Sequence, residues 1–299
     1  MPFTQTNVNY AAEYGQAMAE AYPYLSYFGE IWASPLAKQF MPGKGKTVYI
    51  PTLEVKGAHA ADRDNMSGQF TRNFNNSFVA KTLEMDREWD TLADPMDMEE
   101  TNDVAILANI SREFNQMQKV PEMDAYLAAK LLSFVTTPDT TAITSGNVLT
   151  LWDTYLQNMS DARVPLDRIH AYVTPAVYTL LKQTAGVSRF IDVGGAGQGQ
   201  TVNRNVKRLD EIPVHIVPSD IMKSSFVFTE GWVPASGAKQ INMILVDPMA
   251  VAAPVKYETA MMSAPTAQSK GKYLYYERYY YGAFAMPKRE GGIFVNVAA

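Results

Sequence analysis

Apolar residues at Val104, Leu107, Ile110, Phe114 and Met117 recur every three or four positions, which draws one stripe along a helix. Asp103, Asn109, Arg112, Asn115 and Gln118 fill the opposite side. The helix opens at Asp94-Pro95: the aspartate oxygen can accept from first-turn amides, and proline gives up only an amide that would be unpaired there. Asp97, Glu99 and Glu100 add negative charge at the positive end of the dipole. The apolar period resumes at Met123, Leu127, Leu131 and Phe134, beyond Val120-Pro121, where proline predicts a stop or a kink. A helical beam over residues 96–135 is the element on which the rest of the chain is expected to lie.

Before the beam, Thr47-Val48-Tyr49-Ile50 and Leu53-Glu54-Val55-Lys56 read as one strand bent at Pro51, and Leu83 to Trp89 as a second. Between them lies a long polar stretch holding Asp62-Arg63-Asp64 and Arg72-Asn73-Phe74. A loop of that length needs a purpose, either as a lid or as an extended hairpin reaching a neighbour, and the extended flanks favour the hairpin. Residues 1–45 are rich in aromatic and small residues. They read as an arm with a short helix over 11–22 capped by Asn9, then irregular chain around Trp32.

After the beam, Asn147 is placed as the cap of a helix over 148–159, residues 168–173 as a buried strand, and Thr174-Pro175 as the start of a helix over 176–184. Runs at 214–217, 225–228 and 240–246 read as further strands, so residues 147–250 form a mixed α/β unit. The tyrosine-rich run 272–281 and the segment 293–297 read as long antiparallel strands beside the beam, joined through 286–292.

The chain has 299 residues, 47% of them hydrophobic, and a net charge of −5, which argues against strong nucleic-acid binding by the surface at large. With no cysteine, disulfides and thiolate metal sites are excluded. His59, His170 and His215 lack ligand-type spacing, and no metal site is expected. No signal peptide and no apolar run of membrane-spanning length is visible, so the chain reads as a soluble cytosolic product without a membrane partner.

Candidate chemistry is sparse. Phe190 to Gly199, with Asp192 and Gly194-Gly195-Ala196-Gly197, resembles the first motif of methyltransferases that use S-adenosylmethionine. Such a loop needs a helix directly behind it, and residues 200–208 carry only a weak apolar stripe, so a surface loop is the plainer reading. Glu122 and Asp124, like Asp97, Glu99 and Glu100, are placed at helix starts, where they satisfy amides rather than form an acid–base pair. The tyrosine run reads as a buried or interface strand before it reads as a stacking platform for bases or sugars. No catalytic, cofactor-binding or metal residue is assigned.

The order of arm, long hairpin, spine helix, central α/β unit and return strands resembles the major capsid proteins of tailed bacteriophages, the Hong Kong 97 fold. Several stretches resemble one such family common in phages of Gram-positive hosts. They are Val8 to Gln16, Thr101-Asn102 with Ala108-Asn109-Ile110, Pro121 to Tyr126, Tyr172 to Val177, Ala238 to Met243 and Gly271 to Tyr276. The resemblance implies an α+β fold with 1–45 as N-terminal arm, 46–90 as extended loop, 91–146 with 247–299 as peripheral domain and 147–246 as axial domain. It implies a structural, non-enzymatic role without cofactor: self-assembly into pentamers and hexamers of an icosahedral virion shell, put together in the host cytoplasm. The implied partners are further copies of the chain, a separate scaffolding protein, a portal, and double-stranded DNA held by containment. Asp62, Arg63, Asp64, Arg72, Phe74 and Trp32 are the expected contacts between subunits. An encapsulin-type compartment and the methyltransferase are the competing expectations.

Overall fold

The computed structural model describes residues 25–42, 45–58, 72–100, 107–184, 190–192, 201–203 and 206–299. The chain begins there with two short helices, α1 (Gly29–Trp32) and α2 (Pro35–Gln39), and then three strands, β1 (Thr47–Val55), β2 (Phe74–Thr82) and β3 (Met85–Ala93). The spine follows as α3 (Pro95–Glu100), α4 (Leu107–Phe114), a π-helical turn at Asn115–Lys119 and α5 (Val120–Phe134). Next come α6 (Val148–Asp161), β4 (His170–Val173), α7 (Pro175–Gln183), β5 (Phe190–Asp192), β6 (Thr201–Asn203), β7 (Arg208–Leu209) and β8 (Ile212–Ile216). The remainder is β9 (Phe226–Val227), β10 (Val233–Pro234), β11 (Ile241–Val246), β12 (Val251–Ala252), β13 (Val255–Ser263), β14 (Tyr273–Tyr281), β15 (Phe284–Ala285) and β16 (Ile293–Val297).

One local device recurs at helix starts: a short polar residue followed by proline. Ser34 Oγ accepts from the Ala37 amide at 3.3 Å, Asp94 Oδ1 from Met96 at 3.0 Å, Thr174 Oγ1 from Val177 at 3.5 Å and Asp247 Oδ1 from Met249 at 3.0 Å. Asn147 behaves differently. It occupies the cap position of α6, but its amide oxygen accepts from Thr144 and its nitrogen donates to Ala142, so it folds the preceding loop rather than capping the helix.

The spine does not stop at Val120-Pro121. Val120 keeps helical angles (φ −67°, ψ −45°) and its amide reaches back to Asn115 O, five residues away. The widened turn relieves the clash that a proline ring makes with the carbonyl four residues earlier. Beyond it α5 is buried over far more than one stripe: Ala125, Leu127, Ala128 and Leu131 are fully enclosed. Alternation alone cannot foretell this, because whether a stripe widens depends on what folds over it.

The core is layered on a five-stranded sheet of order β16-β11-β4-β8-β7, antiparallel except for the parallel pair β4–β8. Side chains alternate across it. Tyr172, Ile244, Val246, Ile293 and Val295 face α5, together with Phe28 and Ile31 from α1. Ala171, Val173, Met243 and Leu245 face α6 and α7, meeting Trp152, Tyr155, Val177 and Leu181. β16 therefore closes an edge of this central sheet and does not join the long C-terminal strands expected beside the spine. Those strands form a second sheet of order β13-β14-β3.

Two further expectations change. Within the segment read as an arm, residues 25–42 pack on their own chain, because Phe28 and Ile31 are sealed in the main core. The hairpin partner of β1 is β2, drawn from the stretch read as polar loop, while the run 83–89 falls mostly in β3 of the second sheet. β1 also runs straight through Pro51, opposite Phe78. The proposed helix over 11–22 lies outside the described residues.

Candidate assembly surface

β1 and β2 make a ribbon nine residues long on each side, about 30 Å at the usual rise of a strand. The register sets Tyr49 opposite Ala80, Pro51 opposite Phe78, Leu53 opposite Asn76 and Val55 opposite Phe74. Directly opposed residues share a face, so Tyr49, Pro51, Leu53, Val55, Phe74 and Phe78 form one nearly continuous apolar face. Its side chains stand in water: Tyr49 64%, Leu53 58%, Val55 69%, Phe74 54% and Phe78 65% exposed. A two-stranded ribbon has little stability of its own, and an exposed apolar stripe of this extent marks a contact surface.

The root of the ribbon is fixed. Val48 and Ile50, on the opposite face, are buried with Leu36, Leu83, Ala252, Tyr280, Phe284 and Met286. Lys46 reaches Asp86 at 2.5 Å, and Arg278 grips the same carboxylate at 2.9 and 2.7 Å. The Arg278 guanidinium, with help from Lys46, holds the Asp86 carboxyl down at about 2. Farther out, Lys288 Nζ donates to the Leu53 carbonyl at 2.7 Å. At the outer end Arg72 donates to Phe74 O at 3.0 Å and lays its guanidinium 4.7 Å from the centre of the Phe74 ring. The ribbon is thus anchored at one end and presents its apolar face outward.

A second exposed apolar group lies at the far end of the β13-β14-β3 sheet, where Leu274 stands between Leu92 and Ser263 and Met261 stands opposite Tyr276. The other face of that sheet is bound to the spine. Trp89 stacks on Phe114 with 4.0 Å between ring centres, and Lys119, in the π-turn, pairs with Glu277 at 2.9 Å in a buried contact.

Of the sequence-predicted contact residues, Arg72 and Phe74 lie together on the ribbon. Asp62, Arg63 and Asp64 lie outside the described residues. Trp32 is used within the chain: its indole nitrogen donates to Asp124 at 3.1 Å and its ring meets Tyr281 edge-on. Tyr49, Leu53, Val55 and Phe78 share that exposed face and are not among the residues the sequence singles out. Their alternation in 47–55 was visible, but a pairing partner at 74–82 was needed to put them on one face.

Glu122 and Asp124 do not cap a helix. The spine runs on through them, and they point into the core as hydrogen-bond hubs. Asp124 also accepts from Ser26 Oγ at 3.0 Å and from the Tyr27 amide at 2.8 Å. The glycine-rich segment is flanked by β5 and β6, which pair antiparallel with each other and, among the described residues, with no strand of the central sheet. A cofactor loop is expected to have a sheet strand before it and a helix directly after, so this arrangement does not support the methyltransferase expectation; residues 193–200 themselves lie outside the described residues. Among the described residues no group of three or more His, Asp or Glu could hold a metal. Among them also, no helix is long and apolar enough to cross a membrane.

No family model matches the chain, and no curated protein matches it in sequence. Solved structures do match over nearly its whole length. The capsid structure of the cyanophage P-SCSP1u is 14% identical over 97% of this chain and 93% of that chain, with a TM-score of 0.67. The asymmetric unit of the mature capsid of bacteriophage PhiM1 is 13% identical over 99% and 92%, with a TM-score of 0.62. A structure from Mycobacterium phage Che8 is 15% identical over 96% of each chain, with a TM-score of 0.61. The chain shares the fold of phage capsid chains, the fold class expected from its sequence.

Proposed function

We propose that the chain is the major capsid subunit of a tailed phage, a structural protein that assembles with copies of itself into pentamers and hexamers and closes an icosahedral shell around double-stranded DNA. The observation that carries this reading is the ribbon: rigidly rooted, apolar on its outward face and uncovered in the single chain. A surface of that kind gains its stability only when a neighbour covers it, which couples folding of the ribbon to assembly. The capsid fold supplies the context.

In this reading residues preceding the packed segment 25–42 are the arm, and β1–β2 with the tip between them is the extended loop. The spine with β3, β13 and β14 is the peripheral domain, and the central sheet with α6 and α7 is the axial domain. Arg72 and Phe74 join Tyr49, Leu53, Val55 and Phe78 as contacts to the neighbouring subunit. DNA is held by containment, consistent with the acidic balance of the chain, since close neutralising contacts would require a basic surface. A separate scaffolding protein and a portal are the further partners this role calls for, and the host cytoplasm is the place of assembly.

Expression of the chain, alone and with a candidate scaffolding protein, followed by light scattering and electron microscopy, tests the reading. Closed shells or capsomer rings are expected. A monomer under every condition overturns it, and shells that enclose an enzyme and no DNA in infected cells point to a compartment protein instead.

A further inference from the structure

Two histidines far apart in sequence meet in the central sheet. His170 in β4 and His215 in β8 lie on adjacent parallel strands, with Tyr172 directly paired to His215. The two imidazoles stack with 5.4 Å between ring centres, His215 stacks in turn on Tyr172 at 5.0 Å, and His170 Nδ1 faces His215 Nε2 at 3.1 Å. At neutral charge one of these nitrogens donates and the other accepts. A first added proton leaves that bond intact, because one ring keeps its acceptor. A second proton sets N–H against N–H and places two like charges in contact.

The surroundings decide which ring takes which proton. Glu30 comes from α1, Asp247 follows β11 and is itself held by Arg168 at 3.0 Å, and Asp124 of α5 lies on the side of Tyr172. Burial holds both histidines below their ordinary value. Glu30 and Asp247 work the other way for His170, while His215 has Glu30 in its favour and the charge of His170 against it. The pair therefore takes up its protons in two steps, and the second, which sets N–H against N–H, is the one that breaks the bond.

We propose that the His170–His215 pair is an acid-labile joint that fastens the β7–β8 hairpin to the rest of the central sheet. The ladder it supports is short: Ala171, Tyr172 and Val173 pair with Val214, His215 and Ile216, and the Val217 amide donates to Val173 at 2.9 Å. On its other side, among the described residues, β8 carries only the two-residue strand β7. A histidine whose folded value is depressed binds fewer protons folded than unfolded. Its contribution to stability is complete above the ordinary value of about 6.5 and is lost as the pH falls through that value toward the folded one. The inference concerns the single chain and stands apart from the assembly reading.

Hydrogen exchange of the full-length chain at about pH 7.5 and about pH 5, corrected for intrinsic rates, tests it in the range where histidine titrates. Protection of residues 212–217 is expected to fall relative to residues 241–246, since the opened form binds protons more readily than the closed one. His215→Phe, which keeps a ring on Tyr172, and His170→Gln, whose amide serves either charge state of His215, should each make that ratio less dependent on pH, because the remaining histidine keeps only its own burial and no second proton can set N–H against N–H. Imidazole titration followed by NMR on the unsubstituted chain should give two midpoints below about 6.5. An unchanged ratio in the unsubstituted chain, the same acid response in His215→Phe, or midpoints at the ordinary value would overturn the proposal.

Discussion

Arg87 and Glu122 form a two-toothed ion pair between β3 and the spine helix, with Nε to Oε1 and Nη2 to Oε2 both at 2.8 Å. The Tyr281 hydroxyl donates to the same carboxylate at 2.8 Å, and Arg87 also donates to the Phe228 carbonyl. One contact thereby ties the second sheet, the spine and the β9–β10 hairpin together. Glu122→Gln leaves a largely buried guanidinium short of its counter-charge and is expected to cost about 3–5 kcal/mol in urea unfolding of the subunit. Tyr281→Phe removes one hydrogen bond and should cost about 1–2 kcal/mol.

Asp124 gathers Ser26, Tyr27 and Trp32 onto the spine. Asp124→Ala removes the carboxylate to which the Tyr27 amide and the Trp32 indole nitrogen donate. Residues 25–42 should then become the first site of proteolytic cleavage, while the central sheet keeps its protection in hydrogen exchange. Cleavage at unchanged sites and rates would mean that the apolar contacts of Phe28 and Ile31 hold this segment by themselves.

Gly282 passes so close to the junction of β2 and β3 that a Cβ there would lie 3.0 Å from Leu83 Cα and 3.3 Å from the Glu84 amide. Both are backbone atoms and cannot swing aside. Gly282→Ala should cost about 1–3 kcal/mol by overpacking, measured as a shift in the unfolding midpoint.

At the ribbon root, the Asp86 carboxyl is held at about 2 by Arg278 and Lys46. Its folded value lies below the unfolded one, so its stabilising effect is present above about pH 4 and is lost as the pH falls toward 2. Asp86→Asn should flatten the acid limb of the stability curve between those values. High salt should weaken the contact in the unsubstituted chain, because the groups are partly exposed.

How much of this was legible in the sequence follows from how local each signal is. Asp94-Pro95 and Thr174-Pro175 announce helix starts through chemistry confined to three or four residues, and the structure uses both as caps. The apolar runs at 168–173 and 240–246 mark central strands because both faces of that sheet are covered. The partner of β1 could not be seen, because Phe74 to Thr82 is polar on one face and bare on the other. Burial within the chain reaches only Val79 and Lys81, and those only in part, so it imprints no pattern on the rest. Glu122 and Asp124 were assigned by their nearness to Pro121. Their partners, Arg87 and Tyr281 for one and Tyr27 and Trp32 for the other, lie from 35 to 159 residues away and carry no local signature. The same distance in sequence hid the meeting of His170 and His215.

In the proposed assembly the outward face of the β1–β2 ribbon is covered by another copy of the chain. Sedimentation velocity on the unsubstituted chain and on the double variant Leu53→Asp with Phe78→Asp, backed by circular dichroism, tests it most directly. Shells or capsomers are expected for the first and folded, unassembled subunits for the second, with unchanged secondary structure. Normal shells from the double variant would contradict it.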